Sequence, residues 1–408
     1  MSWGVALRNS VGLGLGGIPS LLNAPPYASL KLNFTEVNAL DSRITFNRGS
    51  NATYFNSAGV LSTAANNVAR FDYNPTTLAP LGLLIEEART NLCLYSADLN
   101  QVNWAKGSSV SLSYDTTTAP DGTTTGDTIT VVTGADTGVH QSIACSSSTA
   151  YTFSLWVKLG TMVASDYKIA IYDNTNAAFI AADIVPTQTP SSTAWTRITY
   201  TFTTPATCVS VRVYCFRNAL SAATSVNVWG MQLEQGAFST SYIPTTTTAL
   251  TRADDSASIA GTNFSSLFNA AQGTMLVQAQ QNILFAASKS AASITDGTNG
   301  NRFTLYRQGG GRINAFSNPG GYVSVGPSAT AATPWKSALS YGAASPALFA
   351  ANGVTQTSLA YTVSPSVLTE FAIGNSFTGG LEQFNGYIRS FSYYPKRLSN
   401  GQLQALTK

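Results

Sequence analysis

The stretch Tyr151–Leu159, YTFSLWVKL, decides the fold class. Tyr151, Phe153, Leu155 and Val157 fall on one side of an extended chain, and Thr152, Ser154, Trp156 and Lys158 on the other, because successive side chains of a strand point to opposite faces. Its neighbours repeat the pattern. WTRITYTFTTP (195–205) brings Ile198, Tyr200 and Phe202 together, and VSVRVYCFR (209–217) brings Val209, Val211, Val213 and Cys215 together. SVNVWGMQLEQG (225–236) adds a further strand. Short strands at regular spacing, with no helical stretch between them, predict a β-sandwich over residues 91–250, a segment of jelly-roll size.

Towards the C-terminus, TRADDSASIAGTN (251–263) reads as a polar junction, after which the strand texture resumes. GTMLVQAQ (273–280), RFTLYRQ (302–308), RINAFSN (312–318) and FNGYIRSFSYYP (384–395) predict a second sandwich over 251–408. Asn352-Gly353 between apolar runs predicts a tight hairpin turn. Only the tail LSNGQLQALTK looks helical, with Ser399 as its N-cap. Towards the N-terminus, RITFNRGSNATYFNSAGVL (43–61) reads as two short strands within a small β adaptor spanning 41–90. LGLLIEEARTN (81–91) is too short to be divided by period between one helical turn and a strand. Residues 1–40 are a Gly/Pro-rich arm, which reads either as an anchor that orders against a partner or as a secretion signal broken by Gly12, Gly14, Gly16 and Gly17. The expected architecture is all-β: two consecutive β-sandwiches after an extended N-terminal arm.

Composition narrows the function. Charged residues are 10% of the 408, against roughly 25% in an average chain, so Thr, Ser, Asn and Gln must supply the polar surface. With a net charge of +3 and no dense basic tract, nucleic acid is not an expected partner. No apolar run reaches the roughly 20 residues of a membrane span. Cys93, Cys145, Cys208 and Cys215 form no CxxC pair and only His140 could join them, so a zinc site is not expected and buried free thiols are. Cys208 and Cys215, seven apart, would face opposite sides of one continuous strand.

Several segments carry a resemblance. GLLIEEARTNLCLYSADLNQVNW (82–104) resembles the entry to the central domain of many phage-encoded virion proteins, and VNVWGMQLEQGAFSTSYIPTTTTALTRADD (226–255) resembles its exit. RGSNATYFNSAGVLSTAANNVARFDYNP (48–75) is similar to their adaptor, and FNGYIRSFSYYPKRLSNGQLQALT (384–407) to the closing strand and helix of their concanavalin-like lectin domains. The resemblance covers roughly residues 41–408. It implies a bacteriophage head-spike or tail-fibre component of the virion, in which a carbohydrate-binding-module-like jelly roll precedes a lectin-like sandwich. It also implies a homotrimer, joined to other virion proteins through the arm and meeting host or environmental glycans. The family offers no catalytic residue to carry over.

The residues themselves argue against catalysis. A Ser-His-Asp triad would have to use His140, which sits among apolar strand residues. A glycan depolymerase needs paired carboxylates across a cleft, whereas Glu86-Glu87 and Asp254-Asp255 lie at predicted junctions. Oxygen-rich turns at Asp173–Asn176 and Asp296–Asn301 could hold calcium, or could be ordinary turn chemistry; no metal or cofactor is expected. Glycan binding calls for flat rings beside amide or guanidinium donors. Trp156 lies on the polar phase of its strand, and Arg212, Tyr214 and Phe216 share the polar phase of theirs. In the second sandwich Tyr306, Arg312, Asn314 and Phe316 do likewise. The expected glycan-binding residues are therefore Trp156, Arg212, Tyr214, Tyr306 and Arg312, with burial in a subunit interface as the competing reading. The rival of another kind is an enzyme, a glycan depolymerase of the virion; a second rival is a secreted bacterial surface lectin, for which the arm must be a cleaved signal.

Overall fold

The computed structural model describes residues 27–132, 138–325, 328–342, 345–377 and 382–408. It is an all-β chain built from two sandwiches whose strands pair antiparallel. In the jelly roll one five-stranded sheet runs, edge to edge, Thr196–Thr203, Ala150–Leu159, Thr224–Gln235, Gly126–Val131, Val110–Thr117. The other runs Ala178–Ile184, Ile169–Asp173, Ser210–Phe216, Val139–Ala144, Ala105–Lys106. Phe153, Leu155, Val157, Ile171, Val211, Val213, Val228 and Leu233 are buried between them, as the alternation in Tyr151–Leu159 requires.

Strand 210–216 departs from the expected phase at both ends. Val209 precedes the strand and is 60% exposed, while Phe216, expected on the polar side, is in the core. The ladder shifts register between Val139 and His140, where Phe216 is paired, and one residue of slip moves a side chain to the other face. Cys208 also lies outside the strand, so it shares the core with Cys215 instead of opposing it.

The second sandwich reaches much further back in sequence than residue 251. Its eight-stranded sheet contains Gln272–Gln280, Trp335–Gly342 and Gly386–Tyr394, but also Pro80–Ile85, Phe71–Tyr73 and Leu30–Asn33. Its seven-stranded sheet begins with Thr45–Asn47, paired to Ser256–Ala260. Residues 41–90, expected as a separate adaptor, thus supply strands to both sheets. The described part of the arm does so too, since Leu30–Asn33 pairs with 390–393; the rest of the arm, residues 1–26, lies outside the described residues. The reason is burial. Some fifty residues cannot enclose a core of their own, whereas Leu30, Leu32, Phe46, Phe71, Leu83 and Ile85 share one with Val277, Ile294, Phe303 and Phe391. The jelly roll is therefore inserted into the second sandwich.

The insertion has a defined stem. Arg89–Asn91, where the chain enters the jelly roll, pairs with Leu250–Arg252, where it leaves. Beside the stem lies a buried cluster of charges. Arg70 reaches Glu86 at 2.8 Å and Asp255 at 2.5 Å, Arg48 reaches Asp255 at 3.2 Å, and Arg252 lies 3.6 Å from Glu86. Burial alone would raise the Glu86 carboxyl, but Arg252 and Arg70 outweigh it and bring the pKa down to about 2. TRADDSASIAGTN, read as a polar junction, is thus partly interior: Asp255 and Ile259 are fully buried.

Two local expectations hold. Asn352 and Gly353 take positive φ (46° and 76°) in the hairpin between Ser345–Ala351 and Val354–Leu359. Ser399 caps the helix Asn400–Thr407, accepting from Gln402 N–H.

Candidate functional site

Strand Ser210–Phe216 runs through the middle of the second jelly-roll sheet, so its outward side chains meet neighbours on both sides. Arg212 stands opposite Tyr172 on one flank and Ser142 on the other, and Tyr214 opposite Ala170 and His140. Phe179 follows Tyr172 in the next strand. The rings close into a patch: His140–Tyr214 at 4.7 Å, Tyr172–Phe179 at 4.9 Å and Phe179–Tyr214 at 6.4 Å between centroids.

Two guanidinium groups are laid across it. Arg212 lies 5.4 Å from the Tyr172 centroid and donates to the Tyr214 hydroxyl at 3.2 Å. Arg217 lies 4.4 Å from the Phe179 centroid and pairs with Asp183 at 3.2 Å. Gly138 leaves room for the ring here, because a Cβ on it would fall 2.5 Å from Cε1 of Tyr214.

The patch is graded in exposure. Phe179 is 40% exposed and Tyr172, Arg212 and Arg217 are half-buried, whereas Tyr214 is 8% exposed. Tyr214 is thus a floor under the patch and not the open platform that phase alone suggested. Sequence reading found Arg212 and Tyr214 and missed Tyr172, Phe179 and Arg217. The clue was present: in KIAIYDNTN (168–176) Tyr172 alternates with the core residues Ile169 and Ile171, and a hairpin about Asp173–Asn176 carries Phe179 back beside it. Rings backed by guanidinium forks offer stacking surfaces and hydrogen-bond donors at one level, the pairing that recognises a sugar ring and its hydroxyls.

Trp156 is elsewhere. Its phase is the expected one, opposite Phe153 and Val157, but that side of the first sheet is not open. Trp156 is 3% exposed, packed against Trp229 (5.4 Å), Tyr242 (5.5 Å) and Leu61, with the Arg197 guanidinium over its ring at 4.6 Å. The chain leaving the jelly roll and the hairpin of Ala52–Phe55 with Leu61–Ala64 supply that cover. Trp156 therefore packs inside the protein instead of presenting a free ring.

In the second sandwich Tyr306 and Phe316 share the outward side of neighbouring strands, 6.5 Å apart, with Arg302 over Phe316 at 5.2 Å and Tyr322 66% exposed next to it. Arg312 is not on this face; it is exposed in the turn before strand Ile313–Asn318. The turns weighed for calcium spend their carboxylates internally. Asp173 accepts from Thr175 N–H at 2.8 Å and from the Asn176 side chain at 2.6 Å, and Asp296 from Thr298 N–H at 2.9 Å and the Asn301 side chain at 2.7 Å. Glu86 and Asp255, one from each acidic pair, are both held by Arg70.

A search of curated proteins finds no match to this chain. Among solved structures, the CBM40 of the Ruminococcus gnavus IT-sialidase aligns at 19% identity over 35% of this chain and 86% of its own, with a TM-score of 0.30. Domain 4 of AbnA, a GH43 extracellular arabinanase from Geobacillus stearothermophilus, aligns at 14% identity over 42% and 82%, TM-score 0.30. A Trypanosoma rangeli sialidase aligns at 13% identity over 37% of this chain and 26% of that one, TM-score 0.32. Residues 100–221 match the family model described as a carbohydrate binding domain, and these residues carry the whole patch from His140 to Arg217. The chain contains a β-sandwich of the carbohydrate-binding kind.

Proposed function

We propose that this protein is a non-catalytic glycan-binding component of a bacteriophage particle, binding sugars through the jelly-roll face of Tyr172, Phe179, Arg212 and Arg217. One observation carries the glycan part: the segment that matches a carbohydrate binding domain is the one that presents an open aromatic and guanidinium face. The second sandwich adds a weaker site at Tyr306, Phe316 and Tyr322. Weak sites repeated in a homotrimer, and over many trimers, would act by avidity. The virion assignment rests on the run of motifs from GLLIEEARTNL to TSYIPT, with the arm joining the protein to its particle.

The test is a glycan array with the full chain and with Tyr172→Ala/Phe179→Ala. Binding should be lost in the double variant while the thermal melt stays close to the parent. An array pattern that survives the double substitution removes the face from the proposal. Release of reducing ends from host polysaccharide would overturn the non-catalytic reading. Failure to find the chain in purified particles would favour the surface lectin.

A further inference from the structure

The covered side of the jelly roll is not covered completely. A cleft of about 640 Å³ remains between the two sandwiches, within the ~300–1,000 Å³ range of small-molecule sites. One wall is the outer side of the first jelly-roll sheet, where Thr199, Thr201 and Arg197 stand beside Thr152 and Trp156. The opposite wall comes from the second sandwich: Asp72 and Tyr387, joined at 2.9 Å, with Asn282. Phe238 and Phe285, one from each side, meet edge to face at 4.8 Å and close one end.

Arg197 is the unusual member. It is partly buried, yet among the described residues it makes no ion pair. Its Nη2 donates to Ser154 Oγ at 3.1 Å, and its buried Nε has no partner. The carboxylates near it are engaged elsewhere: Glu234 accepts from the Thr240 backbone and hydroxyl, and Glu86 accepts from Ser241 and pairs with Arg70 and Arg252. A guanidinium held against an indole, with donors unspent, faces a cleft whose other charged members are Asp72, held by Phe55 N–H and Tyr387, and Glu86, neutralised by Arg70 and Arg252; the rest of the lining is hydroxyls, amides and rings. Hydroxyls and rings suit a sugar; an unpaired cation in low-dielectric surroundings suits a carboxylate, since charge-assisted bonds are the strong ones.

We propose that the cleft between the two sandwiches binds a short acidic oligosaccharide, its carboxylate held by Arg197 and its rings lying between the two walls. This site is separate from the open face, which lies on the other jelly-roll sheet.

The test is calorimetric titration of the full chain with a short oligo-uronide and with the same oligosaccharide after its carboxyls are reduced to alcohols. The parent protein should bind the uronide and bind the reduced form about 10- to 100-fold more weakly, the loss expected for a charge-assisted pair. Arg197→Gln should weaken uronide binding by a similar factor and leave the reduced form unaffected. Thr201→Trp, at an exposed position on the cleft wall, should block both, and it decides the matter if Arg197→Gln does not fold. Equal affinity for the two oligosaccharides, or uronide binding unchanged in the folded variants, would overturn the proposal.

Discussion

The two outer faces of the jelly roll begin from the same pattern and end differently. Each comes from a strand whose alternate residues are large and polar or aromatic: Trp156 and Lys158 on one, Arg212 and Tyr214 on the other. On the second sheet the face stays open, and its rings and guanidinium groups form a surface patch. On the first sheet the second sandwich and its hairpin fold over the face, so that Trp156 becomes packing and Arg197 lines a cleft. Alternation says which side of a strand a residue is on. It does not say what lies on that side.

The largest expected effect removes the hold on the covered face. Arg70 ties Glu86, Asp255 and Ser241 together at the foot of the insertion. Arg70→Met leaves two buried carboxylates undercompensated and should cost about 3–5 kcal/mol, read as a shift of the urea midpoint. A midpoint within experimental scatter of the parent would show that the clamp does not secure the cover.

Next comes the contrast itself. Trp156→Ala should destabilise by about 3–5 kcal/mol through the cavity it leaves, whereas Tyr172→Ala on the open face should cost about 1 kcal/mol or less while weakening glycan binding about tenfold. If the two stability losses are equal, the division into covered and open faces fails.

A pH series sharpens the comparison further. Asp72, on the covered side, has its pKa raised from 3.8 to about 6, chiefly by burial. A carboxyl that is easier to protonate when folded than when unfolded lowers stability fully above pH 6, and the penalty disappears as pH falls from about 6 to below 3.8. Asp72→Asn should therefore be more stable than the parent at pH 7 by about 1–3 kcal/mol, and the two melting curves should converge near pH 4. Glu86 has the opposite sign. Its depressed pKa stabilises above about pH 4.5 and that contribution is lost as pH falls from there towards 2. A parallel pair of pH profiles for Asp72→Asn and the parent would show that Asp72 is not desolvated by the cover.

The smallest effect concerns the floor of the open face. Gly138→Ala must push the Tyr214 ring aside. It should lower glycan affinity by a few-fold while moving the melt by about 1 kcal/mol or less. No change in affinity would mean that Tyr214 does not set the height of the patch.

Much was legible from residues alone. Period two in Tyr151–Leu159 and its neighbours determined an all-β chain and the core residues Phe153, Leu155, Val211 and Val213, because burial on one face of a strand is a local property. Asn352-Gly353 determined its hairpin turn and Ser399 its helix cap for the same reason: each depends on a few consecutive residues. The outward phase of Arg212 is legible in its strand, and so is that of Tyr172 in KIAIYDNTN. What only the tertiary structure decided is non-local. Strands Leu30–Asn33, Thr45–Asn47 and Pro80–Ile85 carry no mark of their distant partners, since a strand's edge hydrogen bonds are the same whichever edge it meets. The burial of Trp156 and the cleft beside Arg197 depend on a chain crossing some eighty to two hundred residues away in sequence, and side-chain alternation holds no information about that.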